Sequence, residues 1–156
     1  MTSKFPARDE FLDRYGDGLV LTASALVQNN GRYLLVLCPA YGLWRPPGGM
    51  VEPDEDPKDT VIREMKEELG IGVDNPVFVG YGGDSQYHRP LNRILKRCIL
   101  YHHVIASSEP TISPDEAVDF RWLTPQKLMS HPMMEGAFVD LIRRRPDLLE
   151  NLVNGN

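Results

Sequence analysis

The segment from residue 56 to residue 70 carries signals for both ends of an α-helix. Asp56 can accept hydrogen bonds from the free N–H groups of a first helical turn, and Pro57 suits the first helical position. Gly70 can adopt the left-handed conformation that ends many helices. We therefore predict a helix over Pro57–Leu69, and the fold must bury its apolar side.

Segments rich in aliphatic and aromatic residues predict strands before and after this helix. A hairpin turn is expected at residues 29–31, because Asn and Gly tolerate positive φ. The predicted strands are residues 19–28, 33–38, 77–81, 94–105 and 120–123. Loops are predicted at residues 39–50, 82–91 and 107–115, and further helices at residues 9–15, from Pro125 behind a Thr124 cap, and at 135–145.

The helices do not alternate regularly with the strands, so this order of elements predicts an α+β fold with a mixed β-sheet packed between helices. A length of 156 residues is typical of one domain. We predict a single domain over residues 1–156. It comprises an N-terminal extension (1–17), a core (18–130) and a C-terminal helical segment (131–156).

Charge and hydropathy narrow the classes of partner. A net charge of −5 gives no general attraction to nucleic acid, so no nucleic-acid partner is expected. No apolar run is long enough to span a membrane, and residues 1–13 are too polar for a secretory signal, so a cytoplasmic protein is expected. Cys38 and Cys98 lack metal-ligand spacing and are interpreted as buried thiols in strands, with a disulfide or a catalytic cysteine as alternatives.

The predicted helix gathers acidic residues. Glu64, Glu67 and Glu68 fall within an arc of ~100° on a helical wheel, with the apolar residues Met65 and Leu69 on the opposite side. Like charges at this spacing repel, so the arrangement costs stability. It indicates either a solvated acidic face or a site for a hard cation such as Mg²⁺, which prefers carboxylate oxygens.

These glutamates belong to a longer pattern that resembles the signature of the Nudix hydrolase family, G-x5-E-x7-R-E-U-x-E-E-x-G-U, in which U is a bulky aliphatic residue. Here the pattern starts at Gly49, continues with Glu55 and ends with residues 63–71, and every fixed position matches. Residues 44–49 and 121–125 are similar to other conserved parts of that family. The resemblance covers about residues 19–128.

The resemblance implies a Nudix-like α/β/α sandwich and Mg²⁺-dependent hydrolysis, with Mn²⁺ as a substitute. The substrate would be a nucleoside diphosphate linked to a group X, and cleavage of its phosphoanhydride bond would release a nucleoside monophosphate and phosphorylated X. By matching positions, Glu64, Glu67 and Glu68 are the expected metal ligands. Glu55 would be a further ligand or support one, and Arg63 would orient a carboxylate.

The general base is not decided by the pattern. Glu67 is our first choice because it should lie beside the metal, and Glu116 is the second because the loop before the strand at 120–123 carries it. A solvated loop is the alternative interpretation of Glu116.

Five residues are candidates for substrate binding. Trp44 could stack on a base or pack in the core, and a tyrosine near the position of Tyr87 is associated in the family with dinucleoside polyphosphates. Arg89 could contact phosphate or sugar, while the neighbouring Arg97 is interpreted as a surface charge of a strand. The remaining candidates are Gly48 and Gly49.

The pattern does not identify the group X, so the candidate substrates are dinucleoside polyphosphates, nucleotide sugars, ADP-ribose and nucleoside triphosphates. The stretch at residues 115–125 is also similar to GDP-mannose hydrolases, so a nucleotide-sugar hydrolase is one alternative. A non-catalytic module that senses a nucleotide is another. The expected partner is a small nucleotide, with a homodimer as the expected assembly.

We expect Glu67→Gln to lower turnover at least about 100-fold without unfolding the protein, because the substitution removes a proposed metal ligand and base. Steady-state kinetics and circular dichroism of the variant test this expectation. Near-normal activity in the folded variant would exclude an essential role for Glu67.

Overall fold

The computed structural model describes residues 19–112, 119–131 and 135–148. The helix expected at residues 9–15 lies outside these ranges. The strands are β1 (Leu19–Asn29), β2 (Arg32–Cys38), β3 (Leu43–Arg45), β4 (Gly48–Met50), β5 (Val77–His88), β6 (Arg93–Ile105) and β7 (Phe120–Leu123). The helices are α1 (Pro57–Leu69), α2 (Pro125–Ser130) and α3 (Gly136–Arg144). None of the helices in the described ranges has the length and apolarity needed to cross a membrane.

The strands of the described residues form one mixed sheet with the order β3-β2-β1-β6-β5. In addition, β4 pairs with β1 and β7 pairs with β2. The pair β1–β6 is parallel from Leu19↔Lys96 to Gln28↔Ile105, and the other pairs are antiparallel. The centre of the sheet is therefore a pair of long strands that are distant in sequence.

Helices cover both faces of this sheet. On one face, Val61 and Met65 of α1 pack in a cluster with buried residues of β1 and β2. On the other face, Phe138 and Leu141 of α3 pack with Tyr101 of β6. These four aliphatic and aromatic side chains of the helices are at most 1% exposed. The predicted α+β sandwich is thus confirmed.

The ends of α1 are those that the sequence predicts. The Asp56 carboxylate accepts a hydrogen bond from the Lys58 N–H at 2.8 Å, and Pro57 opens the helix. Gly70 ends it with a φ of 66°, and its N–H donates to the Lys66 carbonyl at 3.0 Å. Because local capping chemistry sets both ends, this helix could be placed from sequence alone.

Two segments predicted as loops contain strands, and those predictions are wrong in part. Residues 39–50 include β3 and β4, and β5 continues through residues 82–88, where a polar loop was expected. The composition of the second segment, with Gly, Asp, Ser and Gln, disfavours a strand. Pairing with β6 from Gly82↔Ile99 to His88↔Arg93 satisfies its backbone nevertheless. The tertiary partner overrides the local preference.

Both cysteines are free thiols in strands. Cys38 is buried, as predicted, whereas Cys98 is only half-buried. Burial raises the pKa of the Cys98 thiol, an effect that Arg144 partly opposes. A disulfide between these two residues is therefore not part of this fold.

Close packing of α3 against β5 depends on a glycine. A Cβ atom added to Gly82 would lie 1.8 Å from the carbonyl oxygen of Ala137, near the start of α3. On the opposite side of the strand, a Cβ atom on Gly83 would lie 3.6 Å from the Arg97 carbonyl oxygen, which is ordinary contact. Gly82 and its neighbour Gly83 can therefore be compared directly, since a side chain would clash at the first position and fit at the second.

We expect Gly82→Ala to lower the free energy of unfolding by about 1–3 kcal/mol or more, because backbone rather than a flexible side chain occupies the space. Gly83→Ala should change it far less. Urea denaturation of both variants measures the difference, and equal stabilities would contradict the proposed contact.

Candidate functional site

The site is built where β4 passes the middle of α1. The N–H of Gly48 donates to Glu68 Oε2 at 3.0 Å. A Cβ atom on Gly49 would lie 2.2 Å from Glu64 Oε1. Gly49 therefore lets the strand backbone approach the Glu64 carboxylate more closely than a residue with a side chain would permit, whereas a Cβ atom on Gly48 would lie 2.2 Å from the Ala23 carbonyl oxygen of β1.

The three signature glutamates are not equally exposed. Glu64 is 2% exposed and Glu68 is fully buried, whereas the Glu67 side chain is 48% exposed. The alternative interpretation, a solvated acidic face, therefore applies only to Glu67, because α1 packs against β4 as well as against the core strands. Two carboxylates are consequently held inside the protein and one faces solvent.

Arg63 stands at the centre of the other acidic contacts. Its Nε and Nη2 atoms donate to the two oxygens of Glu55 at 2.9 and 3.0 Å. Its Nη1 atom donates to Glu64 at 2.9 Å and to Glu67 at 3.4 Å. Its Nη2 atom also donates to the Met50 carbonyl at 3.2 Å. The Arg63 guanidinium thus orients three carboxylates and, through its hydrogen bond to the Met50 carbonyl, holds them near the end of β4.

Glu55 is strongly biased to its charged form. The hydrogen bonds from Arg63 contribute most to this bias, burial opposes it, and the Thr60 hydroxyl and Glu52 N–H add to it, so that the pKa of Glu55 is about 2. Hydrogen bonds to Glu55 also raise the pKa of Arg63, against the effect of burial. The pair is therefore charged at neutral pH.

A second arginine, Arg45, was missed by the sequence analysis. It is 3% exposed, and its Nη2 atom lies 3.7 Å from Glu68 Oε1. Burial acts to lower the pKa of Arg45, but Cys38, Glu68 and Glu135 outweigh burial and raise it. The signal available in the sequence was a basic residue directly before the Pro-Pro-Gly-Gly segment.

The donor set fits a divalent cation in chemical type. Glu64 Oε1 and Glu67 Oε2 both contact the same nitrogen of Arg63, so two carboxylates converge on one positive centre. As they stand, no three His, Cys, Asp or Glu side chains within the described ranges are grouped to hold one ion. A hard cation prefers such carboxylate oxygens, and it would exchange part of the Arg63 pairing for metal contacts.

Trp44 is part of the core, with 5% of its surface exposed. The guanidinium of Arg121 lies 4.2 Å from the centre of its ring, and the His131 ring meets it edge-on at 5.6 Å. The structure therefore supports the packing interpretation of Trp44. Its assignment to substrate binding stays a prediction.

The turn between β5 and β6 flanks β4. Leu91 in this turn packs in one cluster with Met50, the residue after Gly49. The Arg89 side chain lies against Gly42, where an added Cβ atom would be 2.3 Å from Nη2. Arg89 therefore lies between the turn that carries it and the segment around Gly42.

Tyr87 and His88 point to opposite sides of the same strand. Tyr87 is 48% exposed and its hydroxyl donates to the Asn92 side chain. His88 is 3% exposed, and its Nδ1 atom accepts from the Leu91 N–H at 3.2 Å. Burial, together with Arg97, lowers the pKa of His88 to about 4, so this ring is neutral at pH 7. The substrate roles of Tyr87 and Arg89 stay predictions.

Arg97 is buried rather than a surface charge, so that interpretation is wrong. Its guanidinium donates to Asp84 at 2.7 and 2.9 Å and to Glu135 at 3.4 Å. The Tyr101 hydroxyl donates to Glu135 at 2.5 Å, and Asp84 accepts from the Ala137 N–H at 2.8 Å. This network attaches the start of α3 to the sheet. Only pairing between distant segments brings these charges together.

The structure thus brings most of the expected site together. The metal-ligand candidates converge around β4 and α1, and the glycines of β4 lie beside them. Glu116, the second choice for the general base, lies outside the described residues. The residues brought together are Gly48, Gly49, Glu55, Arg63, Glu64, Glu67 and Glu68.

Comparison with known proteins shows which family and which fold this chain shares. A family model described as the NUDIX domain matches residues 18–143. The CTP pyrophosphohydrolase of Escherichia coli is 26% identical over 138 residues, which cover 82% of this chain and 97% of that protein. An NAD-capped RNA hydrolase NudC of Pseudomonas putida is 29% identical over 109 residues, covering 69% of this chain and 37% of that protein. The crystal structure of a MutT protein from Methanosarcina mazei superposes with a TM-score of 0.69 at 23% identity, covering 88% of this chain and 95% of that one.

The low pKa of Glu55 predicts a contribution to stability that depends on pH. Because the pKa falls from 4.5 to about 2 on folding, the contribution is complete above about pH 4.5 and is lost as the pH falls towards about 2. Glu55→Gln should therefore destabilise the protein most near neutral pH, and its difference from wild type should shrink in acid.

Urea unfolding of both proteins between about pH 6 and pH 2.5 measures this difference. Asp59→Asn, at an exposed carboxylate in the first turn of α1, is the control. A Glu55→Gln difference that stays constant over this range would contradict the assignment.

Proposed function

The chain belongs to the Nudix hydrolase family, and from this membership we propose that it is a Mg²⁺-dependent pyrophosphohydrolase of nucleoside diphosphate derivatives. The substrate would be cut at a phosphoanhydride bond to give a nucleoside monophosphate and phosphorylated X. One observation carries the proposal: the glycines of β4 lie directly against the carboxylates of Glu64 and Glu68. This arrangement fixes two buried acidic groups beside a strand backbone that carries no side chains at these positions.

The charge balance of the site calls for a cation. Four glutamates, at positions 55, 64, 67 and 68, face two arginines, Arg45 and Arg63. A diphosphate brought to this excess of negative charge would be repelled. Nudix hydrolases generally use divalent metal ions. Mg²⁺ held by Glu64, Glu67 and Glu68 would offset this excess of negative charge, polarise the phosphate and make bound water more acidic.

The protein's own residues would divide the remaining work. Glu64 and Glu68 are buried in the interface of α1 with β4, so their carboxylates are held in place before substrate arrives. Glu67 is half-exposed and can accept a proton from a water molecule, which makes it our choice for the general base. Arg63 keeps Glu55 and Glu67 close together.

The substrate is proposed at the level of its class. The name of the Escherichia coli relative, CTP pyrophosphohydrolase, supports a nucleoside triphosphate as the first substrate to test, because the match covers nearly the whole of that protein. The position of Arg89 in the turn that flanks β4 supports a role in contacting phosphate or sugar. A homodimer and a cytoplasmic location stay predictions.

A panel of nucleotides with products separated by chromatography tests the function. It should contain nucleoside triphosphates, ADP-ribose, dinucleoside polyphosphates and GDP-mannose. We expect turnover with Mg²⁺ for at least one class, loss of activity with EDTA and recovery with excess Mg²⁺. Nucleotide binding without turnover would instead support a sensing module.

Substitution of a buried ligand gives a matched test. Glu64→Gln should lower kcat at least about 100-fold, since it removes one charge from the proposed metal site. Glu109→Gln, at an exposed glutamate outside the site, should leave kcat unchanged. Equal activity of the two variants would contradict the assignment of Glu64.

A further inference from the structure

Arg45 makes contacts on three sides from the last position of β3. Its Nη1 atom donates to the Pro46 carbonyl at 3.2 Å, and its Nη2 atom donates to the Gly48 carbonyl at 3.2 Å. The same Nη2 atom lies 3.7 Å from Glu68 Oε1. The side chain therefore contacts both the segment that follows it and the Glu68 side chain of α1.

These contacts enclose Gly48 from both sides. Arg45 binds the carbonyl of Gly48, while Glu68 accepts from the N–H of the same residue. Gly48 also lies close against β1, where an added Cβ atom would be 2.2 Å from the Ala23 carbonyl oxygen. The positions of the strand backbone and of the Glu68 carboxylate are therefore coupled through one guanidinium.

The two arginines of the site act on different carboxylates. Arg63 contacts Glu55, Glu64 and Glu67 at the open side of the site, and its side chain is 27% exposed. Arg45 is buried and pairs with Glu68, whose side chain has no exposed surface. Loss of a partner leaves a buried charge poorly compensated, so Glu68 would be the carboxylate most disturbed by removing Arg45.

We propose that Arg45 is a positioning residue for the metal site, which holds Glu68 and the Gly48–Gly49 backbone in the arrangement that binds the cation. The proposal rests on the proposed function, in which Glu68 is a metal ligand. Arg45 acts through Glu68 and Gly48 and does not itself contact phosphate. Its role needs the planar fork of a guanidinium, because a lysine ammonium cannot bind two carbonyl groups and face a carboxylate in the same way.

Three variants of the full chain separate positioning from general destabilisation. Arg45→Met removes the charge, and Arg45→Lys keeps the charge but loses the fork. Arg97→Lys is the matched control, because Arg97 is equally buried and its ion pairs are with Asp84 and Glu135, neither of which is a proposed metal ligand. Thermal unfolding establishes folding, and Mn²⁺ binding to the substrate-free protein is measured by electron paramagnetic resonance. Kinetics then give kcat and KM separately.

We expect Arg45→Met to weaken Mn²⁺ binding and to lower kcat by about 10- to 100-fold, with little change in KM for the nucleotide. Arg45→Lys should show a smaller loss of at least about 3-fold in both quantities. Arg97→Lys should bind Mn²⁺ as wild type does. Should Arg45→Met fail to fold, Arg45→Lys decides the question.

Wild-type Mn²⁺ affinity in a folded Arg45 variant would overturn the proposal, as would an equal loss of affinity in Arg97→Lys. Failure of the proposed function is a separate result, because it would appear in the wild-type protein as absent Mn²⁺ binding or absent turnover. The two hypotheses can therefore fail independently.

Discussion

The hydrogen bond from the Gly48 N–H to Glu68 joins the strand β4 to the helix α1, and the geometry of the site depends on it. A buried carboxylate is costly unless it is paired and hydrogen-bonded. Here the backbone N–H and the guanidinium of Arg45 supply those partners. The contacts that compensate the buried Glu68 carboxylate also position the glycine backbone beside it.

The electrostatics of the site follow from this contact. Arg45 pairs with the buried carboxylate of Glu68. Arg63 pairs with Glu55, Glu64 and Glu67 on the side of the site nearer to solvent. Both arginines are needed, because carboxylates one turn apart on a helix repel each other. The pairing stabilises a concentration of negative charge, on which the proposed binding of a divalent cation depends.

Prediction from the sequence succeeded where chemistry is local and failed where distant strands meet. The ends of α1 were predicted correctly because Asp56 and Gly70 act on backbone groups within one turn of themselves. The extension of β5 was missed because its partner is the distant strand β6. Arg97 was assigned to the surface for the same reason, since Asp84 and Glu135 reach it only in the folded sheet.

The sequence by itself determined the family, the helix with its glutamates and the spacing between Gly49 and Ile71, because these depend on residue identity at fixed separations along one chain segment. Tertiary structure alone decided which carboxylates are buried. An isolated helix presents Glu64, Glu67 and Glu68 as one acidic face, and only its packing against β4 separates two enclosed groups from one in solvent. Burial depends on what lies opposite a side chain, and no spacing along the chain specifies that.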